Sequence, residues 1–185
     1  MNKTTVPTLF LCLAAAAAAA QTTNQGAVMP EAPAGTAPGA RSAPLDDAEF
    51  VRRAAIANRF EIEEAQLALA QGSDPGLKDF ARTMIMDHGA ALKDLETAAR
   101  MAGVTVPDRK FDEAHQATIG AISRKKGTDF DQQYRADQRQ AHDEAIALLV
   151  AYQQSGRSEQ LRAWVIKMLP VVRKHREAIG VLNAP

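Results

Sequence analysis

The sequence is poor in cysteine, in aromatic residues and in net charge. Its 185 residues include a single cysteine, Cys12, while aromatic side chains make up 5% and the formal net charge is zero. One cysteine cannot form an intramolecular disulfide, so a folded domain must be held together by its packed core. The balanced charge offers no basic surface for the phosphate backbone, and we expect no nucleic-acid partner.

Long apolar runs are also missing, except at the N-terminus. Residues 1–20, MNKTTVPTLFLCLAAAAAAA, contain Lys3, an apolar run interrupted by Pro7, and then small residues suited to cleavage after Ala20. The run is shorter than the ~18 apolar residues that a membrane span requires. We predict a signal peptide over 1–20, export to the periplasm or cell envelope, and no transmembrane span in the mature protein.

The next stretch, residues 21–44, has almost no large apolar side chains and is rich in Ala, Pro, Gly, Thr and Gln. Such a composition cannot bury enough surface to offset the entropy of ordering, which predicts a disordered spacer. The remaining residues, 45–185, are predicted to form one domain.

That domain repeats apolar residues at three- and four-residue steps in four segments, which is the periodicity of amphipathic helices. The predicted helices run from a cap at Asp46 or Asp47 to Gly72, from the SDPG motif to Gly103, from about residue 128 to Gly156, and from Ser158 to about Leu182. Four helices of similar length predict an all-α fold and a four-helix bundle.

Two features of the bundle stay open at this stage. The connection over 103–128 is long, and its apolar residues between Phe111 and Ile122 predict a short extra helix between helices two and three. It either crosses the bundle from end to end or caps one end, so helix three is either parallel or antiparallel to helix two.

Pro170 lies inside the last predicted helix and cannot donate to the carbonyl of Ile166. The resulting kink either re-aims a downstream histidine or only fits the helix to its neighbours.

Three histidines occupy apolar seam positions, one in each of the last three predicted helices, and a glutamate lies on the small-residue face of the first. Counted from the short joints, the four positions lie at similar heights, so they are expected to converge near mid-bundle. Imidazole ligands suit zinc, copper, nickel or iron, and the sequence does not choose among them. The predicted metal ligands are Glu61, His88, His142 and His175, supported by Asp87, Asp131 and Tyr134.

A buried polar network without an ion is the competing interpretation. In it, Glu61, Asp131, Gln138 and Tyr134 satisfy the imidazoles and fix the register of the helices. His115 lies in the long connection and is expected to be a surface or local residue. The residues three before the seam histidines are not carboxylic, which argues against a di-iron centre and its oxygen chemistry. They are Ile85, Arg139 and Val172.

Several motifs carry a family resemblance over residues 45–183: FEIEEAQLAL, FARTMIMDHGAAL, FDQQY followed by QRQAH, and LPVVRKH. With them the sequence resembles a bacterial exported family, domain of unknown function 4142, which is grouped with ferritin-like bundles and often labelled as outer membrane proteins. The resemblance implies a ferritin-like fold and an envelope location but no activity. The positions that match the family pattern are Glu61, Asp87, His88, Asp131, Tyr134, His142, Pro170 and His175.

Three functions are therefore considered. The first is a non-enzymatic exported bundle with a structural or stress-related role and a polar His/Glu cluster in its core. The second is a periplasmic protein that stores, buffers or senses a transition metal at a mononuclear His-rich site. A metal-dependent redox enzyme ranks last, because no nucleophile–base pair, phosphate loop or paired acid stands out. Envelope or outer-membrane association and homo-oligomer formation are left open.

Overall fold

The computed structural model describes residues 45–108 and 110–182, and within these ranges it contains helices and loops but no strand. The predicted signal peptide (1–20) and spacer (21–44) lie outside the described residues. The long helices α1, α2, α4 and α5 form a four-helix bundle, and α3 occupies the connection between α2 and α4, which confirms the predicted fold class. The bounds are α1 Asp47–Gln71, α2 Pro75–Met101, α3 Glu113–Ile122, α4 Gly127–Ser155 and α5 Glu159–Val181.

Local signals explain where α2 and α5 begin and where α2 ends. The Asp74 carboxylate accepts hydrogen bonds from the backbone N–H groups of Gly76 and Leu77, with Pro75 in the first turn. The Ser158 hydroxyl caps α5 in the same way. These caps satisfy backbone donors that a helix start leaves free. Gly103, just after α2, has a φ of 71°, a conformation that favours glycine.

The start of α1 differs from the predicted cap. Asp46 occupies the N-cap position, but its side chain makes no capping hydrogen bond. The neighbouring Asp47 accepts a hydrogen bond of 2.5 Å from the hydroxyl of Tyr152, near the end of α4. The Tyr152 ring stacks on Phe50 with centroids 3.8 Å apart. The start of α1 is therefore tied to α4 through Asp47, and the side chain of Asp46 does not cap the helix.

Contacts between helices decide the direction of each one. Tyr152 at the end of α4 bonds to Asp47 at the start of α1, so α1 and α4 are antiparallel. The three-residue joint after Gln71 makes α1 and α2 antiparallel as well. Consequently α2 and α4 are parallel, and the connection that contains α3 crosses from one end of the bundle to the other. This settles the question that the sequence left open.

A layer of buried polar side chains divides the apolar core into two clusters. One cluster surrounds Phe50, Tyr152 and Trp164. The other surrounds Phe80 and Phe130. Between them lies the polar layer, whose members come from all four long helices and are at most 6% exposed: Asn58, Glu61, Glu64, His88, Gln138, His142 and His175.

The helix α5 continues through Pro170, which is exposed to solvent, as is Ile166 one turn earlier. The Ile166 carbonyl that Pro170 leaves without a donor therefore lies on the solvent side of the helix, where water can bind it. None of the helices in the described part of the chain is both long enough and apolar enough to cross a bilayer.

Two glycines offer a matched test of how closely Gly156 approaches the ring of Tyr152. A Cβ on Gly156 would lie 2.5 Å from ring carbons of Tyr152, whereas a Cβ on Gly89 inside α2 would meet nothing within 4 Å. We expect Gly156→Ala to lower the free energy of unfolding by about 1–3 kcal/mol through overpacking. Gly89→Ala should raise it by about 1 kcal/mol through helix propensity. Urea denaturation measures both, and equal effects of the two substitutions would contradict the described close approach.

Candidate metal centre

Three imidazoles meet inside the polar layer. One ring nitrogen from each of His88, His142 and His175 lies within 4.8 Å of the other two. The ring centroids are 5.8 Å apart for His88 and His142, 5.4 Å for His88 and His175, and 5.6 Å for His142 and His175. The three rings thus form a nearly equilateral group, contributed by α2, α4 and α5, at positions that the sequence periodicity placed at one height.

The proton on His88 can be located from its neighbour. Asn58 donates its side-chain N–H to the Ala54 carbonyl at 2.7 Å, which orients the amide oxygen as an acceptor. That oxygen lies 3.1 Å from Nδ1 of His88, so Nδ1 carries the proton. Nε2 then presents a lone pair, and it has no hydrogen-bond partner within the described ranges.

The other two imidazoles are oriented in the same manner. Nδ1 of His142 lies 2.7 Å from the backbone carbonyl of Gln138, which can only accept. Nε2 of His175 lies 2.9 Å from a carboxylate oxygen of Asp87. The remaining nitrogens, Nε2 of His142 and Nδ1 of His175, have no partner among the described residues. An outer acceptor that fixes the tautomer and leaves the inner nitrogen free is the usual arrangement around metal-binding histidines.

Burial keeps the three imidazoles neutral. Desolvation lowers the pKa of His88 well below its usual value, and the neighbouring histidines add to this. Desolvation likewise lowers the pKa of His142 to about 4, although its bond to Gln138 opposes the shift. The pKa of His175 is also lowered by burial, against the opposing bond to Asp87. Neutral imidazoles are the form that ligates metals.

Glu61 from α1 stands beside the imidazoles. Its Oε2 atom lies 3.4 Å from Nε2 of His88 and 3.4 Å from Nδ1 of His142. Neither carboxyl oxygen of Glu61 has a hydrogen-bond partner in the described structure, and the residue is 1% exposed. Burial, assisted by the nearby Glu64, raises the pKa of Glu61 well above its usual value. Without an ion, burial therefore favours the neutral form of this carboxyl group.

A second buried carboxyl group follows one helical turn later. Glu64 accepts a hydrogen bond of 3.1 Å from the side chain of Gln138. Burial, with a smaller contribution from Asp137, raises the pKa of Glu64 to about 9. Tyr134 is fully buried, and burial together with Glu61 and Glu64 raises the pKa of its hydroxyl. Tyr134 therefore lies on the carboxyl side of the layer, as a neighbour of the two glutamates.

Asp131 is placed differently from the prediction. Its carboxylate accepts hydrogen bonds from the backbone N–H groups of Ser73 and Asp74, at 3.1 and 3.0 Å, and so ties α4 to the joint between α1 and α2. Asp131 precedes His142 by eleven residues, which corresponds to roughly 16 Å along a helix. It therefore supports neither an ion nor the imidazoles, and its position on the seam was misleading.

Residues near the site were partly anticipated. Asp87, which the sequence predicted as a supporting residue, lies beside His175 and orients its ring. His115 lies in α3, where its ring packs against Phe60 and its Nδ1 contacts Asp112, as expected for a local residue. The acceptor role of Asn58 was missed. The sequence feature that could have indicated this role is the position of Asn58 three residues before Glu61, on the same buried face of α1.

The spacing of the ligand atoms can be compared with a bound ion. With bonds of about 2.0–2.1 Å, a tetrahedral centre places its donor atoms roughly 3.4 Å apart. Nε2 of His88 and Oε2 of Glu61 already have this separation. The imidazole nitrogens, within 4.8 Å of one another, need an inward shift of roughly 1 Å at most. The three imidazoles therefore fit one transition-metal ion after small side-chain rotations, whereas Glu61 is not part of this close group of donor atoms and must move further to join it.

The fold and the site define an all-helical bundle with a buried histidine cluster in its core. A family model described as domain of unknown function (DUF4142) matches residues 30–182, and the chain belongs to this family, as the motifs predicted. A solved structure of CopM in the Cu(II)-bound form has a similar fold, with a TM-score of 0.61 and 17% identity over 75% of this chain and 96% of that one. No curated protein matches the sequence significantly.

Proposed function

We propose that this protein binds one transition-metal ion in its polar layer, with His88, His142, His175 and Glu61 as ligands. The observation that carries the proposal is the set of three buried, neutral imidazoles that lie close together, each with an acceptor on one nitrogen and no partner on the other. The proposal makes the second of the three functions considered from the sequence the preferred one.

The free nitrogens weigh against a purely structural network. A buried polar atom without a partner costs about 1–3 kcal/mol, and networks kept for register satisfy their members. The buried atoms left without partners in the described ranges include one nitrogen of each of the three histidines and both oxygens of Glu61, together with one atom each of Glu64, Tyr134 and Gln138. An ion at this point would satisfy the histidine nitrogens and an oxygen of Glu61 together.

Charge balance assigns the role of Glu61. A divalent ion buried among neutral ligands needs a compensating negative charge, because an unpaired charge in a core is strongly unfavourable. Glu61 is the carboxyl group in contact with His88 and His142. We therefore propose that Glu61 releases its proton when the ion binds and becomes the fourth ligand.

Copper(II) is the ion that we propose first. Imidazole nitrogens suit copper, and copper(II) binds most tightly in the divalent first-row series. The CopM structure of similar fold carries Cu(II), which makes copper a sensible first ligand to test here. With the predicted signal peptide, the proposed role is storage or buffering of copper in the periplasm.

Trp164 provides a direct assay, because it is the only tryptophan and lines the same cavity as His88 and His175. We expect Cu(II) to quench its fluorescence with a stoichiometry of one ion per chain, and untagged protein from the periplasm to contain metal. Protein that is metal-free on isolation, and whose fluorescence and melting temperature do not respond to copper, zinc, nickel or iron, would refute the proposal.

The residues that orient the imidazoles should matter nearly as much as the ligands. We expect Asn58→Leu, which removes the acceptor for His88, and Asp87→Asn, which weakens the one for His175, to reduce copper affinity about 10- to 100-fold each. Asp94→Asn is the matched control, because Asp94 is a half-exposed α2 residue whose partner is Lys167. Competitive titration against a copper chelator measures the affinities, and equal values for all three variants would contradict the assigned roles.

A further inference from the structure

A small apolar cavity adjoins the polar layer on the side of Trp164. Its volume is about 30 Å³, and Glu61, His88 and His175 form part of its wall. The rest of the wall is mainly apolar and includes no lysine or arginine. Its main residues are Ala57, Ala145, Leu148, Leu149, Trp164 and Met168. This space holds about one water-sized molecule but offers it few hydrogen bonds away from the site.

A larger groove lies on the other side of part of this wall. It measures about 330 Å³ and is formed by α1, α3 and α4. Ala57, Ala145 and Leu148 line both the groove and the cavity. The groove and the cavity beside the imidazoles therefore adjoin at these side chains, two of which are single methyl groups.

We propose that the bound ion keeps one exchangeable coordination position towards this cavity, and that a neutral diatomic molecule such as nitric oxide reaches it from the groove past Ala57, Ala145 and Leu148. The inference rests on the proposed function, since it requires the ion. Metal sites that take up an exchangeable ligand beside their protein ligands can expand to five-coordination.

Size and polarity select this class of ligand. The small volume of the cavity excludes organic substrates. Its wall holds no lysine or arginine to pair with an anion, whereas a neutral diatomic loses little solvation on entry. The polar side of the cavity is formed by Asn58, Glu61, Asp87, His88 and His175, and it lies next to the ion.

Nitric oxide bound to Fe(II)-loaded protein tests the inference, because the Fe(II)–nitric oxide complex has its own electron paramagnetic resonance signal and its formation can be followed in time. We expect the wild-type protein to form this complex. Ala145→Leu should slow nitric oxide association at least tenfold by filling the wall, and Leu148→Ala should accelerate it severalfold by opening the wall. Fe(II) affinity should change little in either variant.

Ala141→Leu is the matched control, because Ala141 lies one turn before Ala145 and lines the groove but not the cavity. Its association rate should equal that of the wild type. Iron-loaded protein without a nitric oxide signal, or equal rates in Ala145→Leu and Leu148→Ala, would overturn the inference and leave metal binding intact. Absence of Fe(II), copper and zinc binding would instead refute the proposed function and this inference with it. If Ala145→Leu does not fold, the rate in Leu148→Ala decides.

Discussion

Replacing His142 with alanine is expected to lower copper affinity by more than about 100-fold. This is a larger loss than the roughly 10- to 100-fold reduction expected when an orienting residue is removed. His142 is fully buried at the centre of the layer, and no other described imidazole is in position to replace its free nitrogen. His88→Ala should have the same effect, since each variant leaves only two imidazoles for the ion. The measurement is quenching of Trp164 fluorescence, supported by elemental analysis of the isolated protein.

His115→Ala is the control for the loss of a histidine. His115 lies in α3 and contacts Asp112 and Phe60 rather than the triad. Its removal should leave the copper affinity unchanged. Copper binding that survives in the His88→Ala/His142→Ala variant but is lost in His115→Ala would place the ion elsewhere. Circular dichroism of each metal-free variant establishes that its helices remain folded.

The metal-free protein should lose stability as pH rises from about 6.5 towards 9. The folded-state pKa of Glu64 is about 9, above its ordinary value of 4.5, so the folded state holds a proton that the unfolded chain releases. This contribution is complete below pH 4.5 and is lost as pH rises towards 9. The slope is about 1.4 kcal/mol per pH unit for each such carboxyl group. Glu61 acts in the same direction.

The histidines act in the opposite direction at lower pH. Because the folded-state pKa of His142 is about 4, below its ordinary value of 6.5, its contribution is present above pH 6.5 and is lost as pH falls towards 4. His88 and His175 add to this loss. The histidines therefore oppose the glutamates below pH 6.5, while above pH 6.5 the contribution of the histidines is complete and the decline caused by the glutamates remains.

Denaturant unfolding of metal-free protein at several pH values tests this profile. Glu64→Gln keeps a hydrogen-bonding side chain beside Gln138 but removes the ionisable carboxyl group. The substitution should therefore make the free energy of unfolding decline less steeply between pH 7 and 9. Glu144→Gln, on the exposed side of α4, serves as the control and should follow the wild type. A wild-type stability that is constant from pH 7 to 9 would show that the buried carboxyl groups are not protonated in the folded state.

Much of the fold was predictable because capping residues and glycines indicate in the sequence where the helices begin and end. Asp74 and Ser158 cap helices where the apolar periodicity begins, and Gly103 and Gly156 follow the residues where it ends. The direction of α4 was not predictable, because a long connection is compatible with either orientation. Tertiary contacts such as that between Tyr152 and Asp47 were needed to decide it.

The candidate site was predictable to the level of one residue per helix. Helical rise and joint positions are enough to bring His88, His142 and His175 to one height. What surrounds each ring was not accessible, because it depends on rotation and side-chain direction. Asp131 shared the seam of α4 but lies about three turns away, whereas the unremarked Asn58 holds His88 in place. Protonation states follow from burial, which periodicity indicates only coarsely.

The crossing connection divides the donor groups evenly between the two halves of the chain. Glu61 and His88 belong to the hairpin of α1 and α2, and His142 and His175 to the hairpin of α4 and α5. Either hairpin alone offers two ligands, too few for a tight centre, so a tightly held ion requires both to be docked. Tight binding of the proposed ion would therefore follow the docking of the two hairpins, and the bound ion would hold them together.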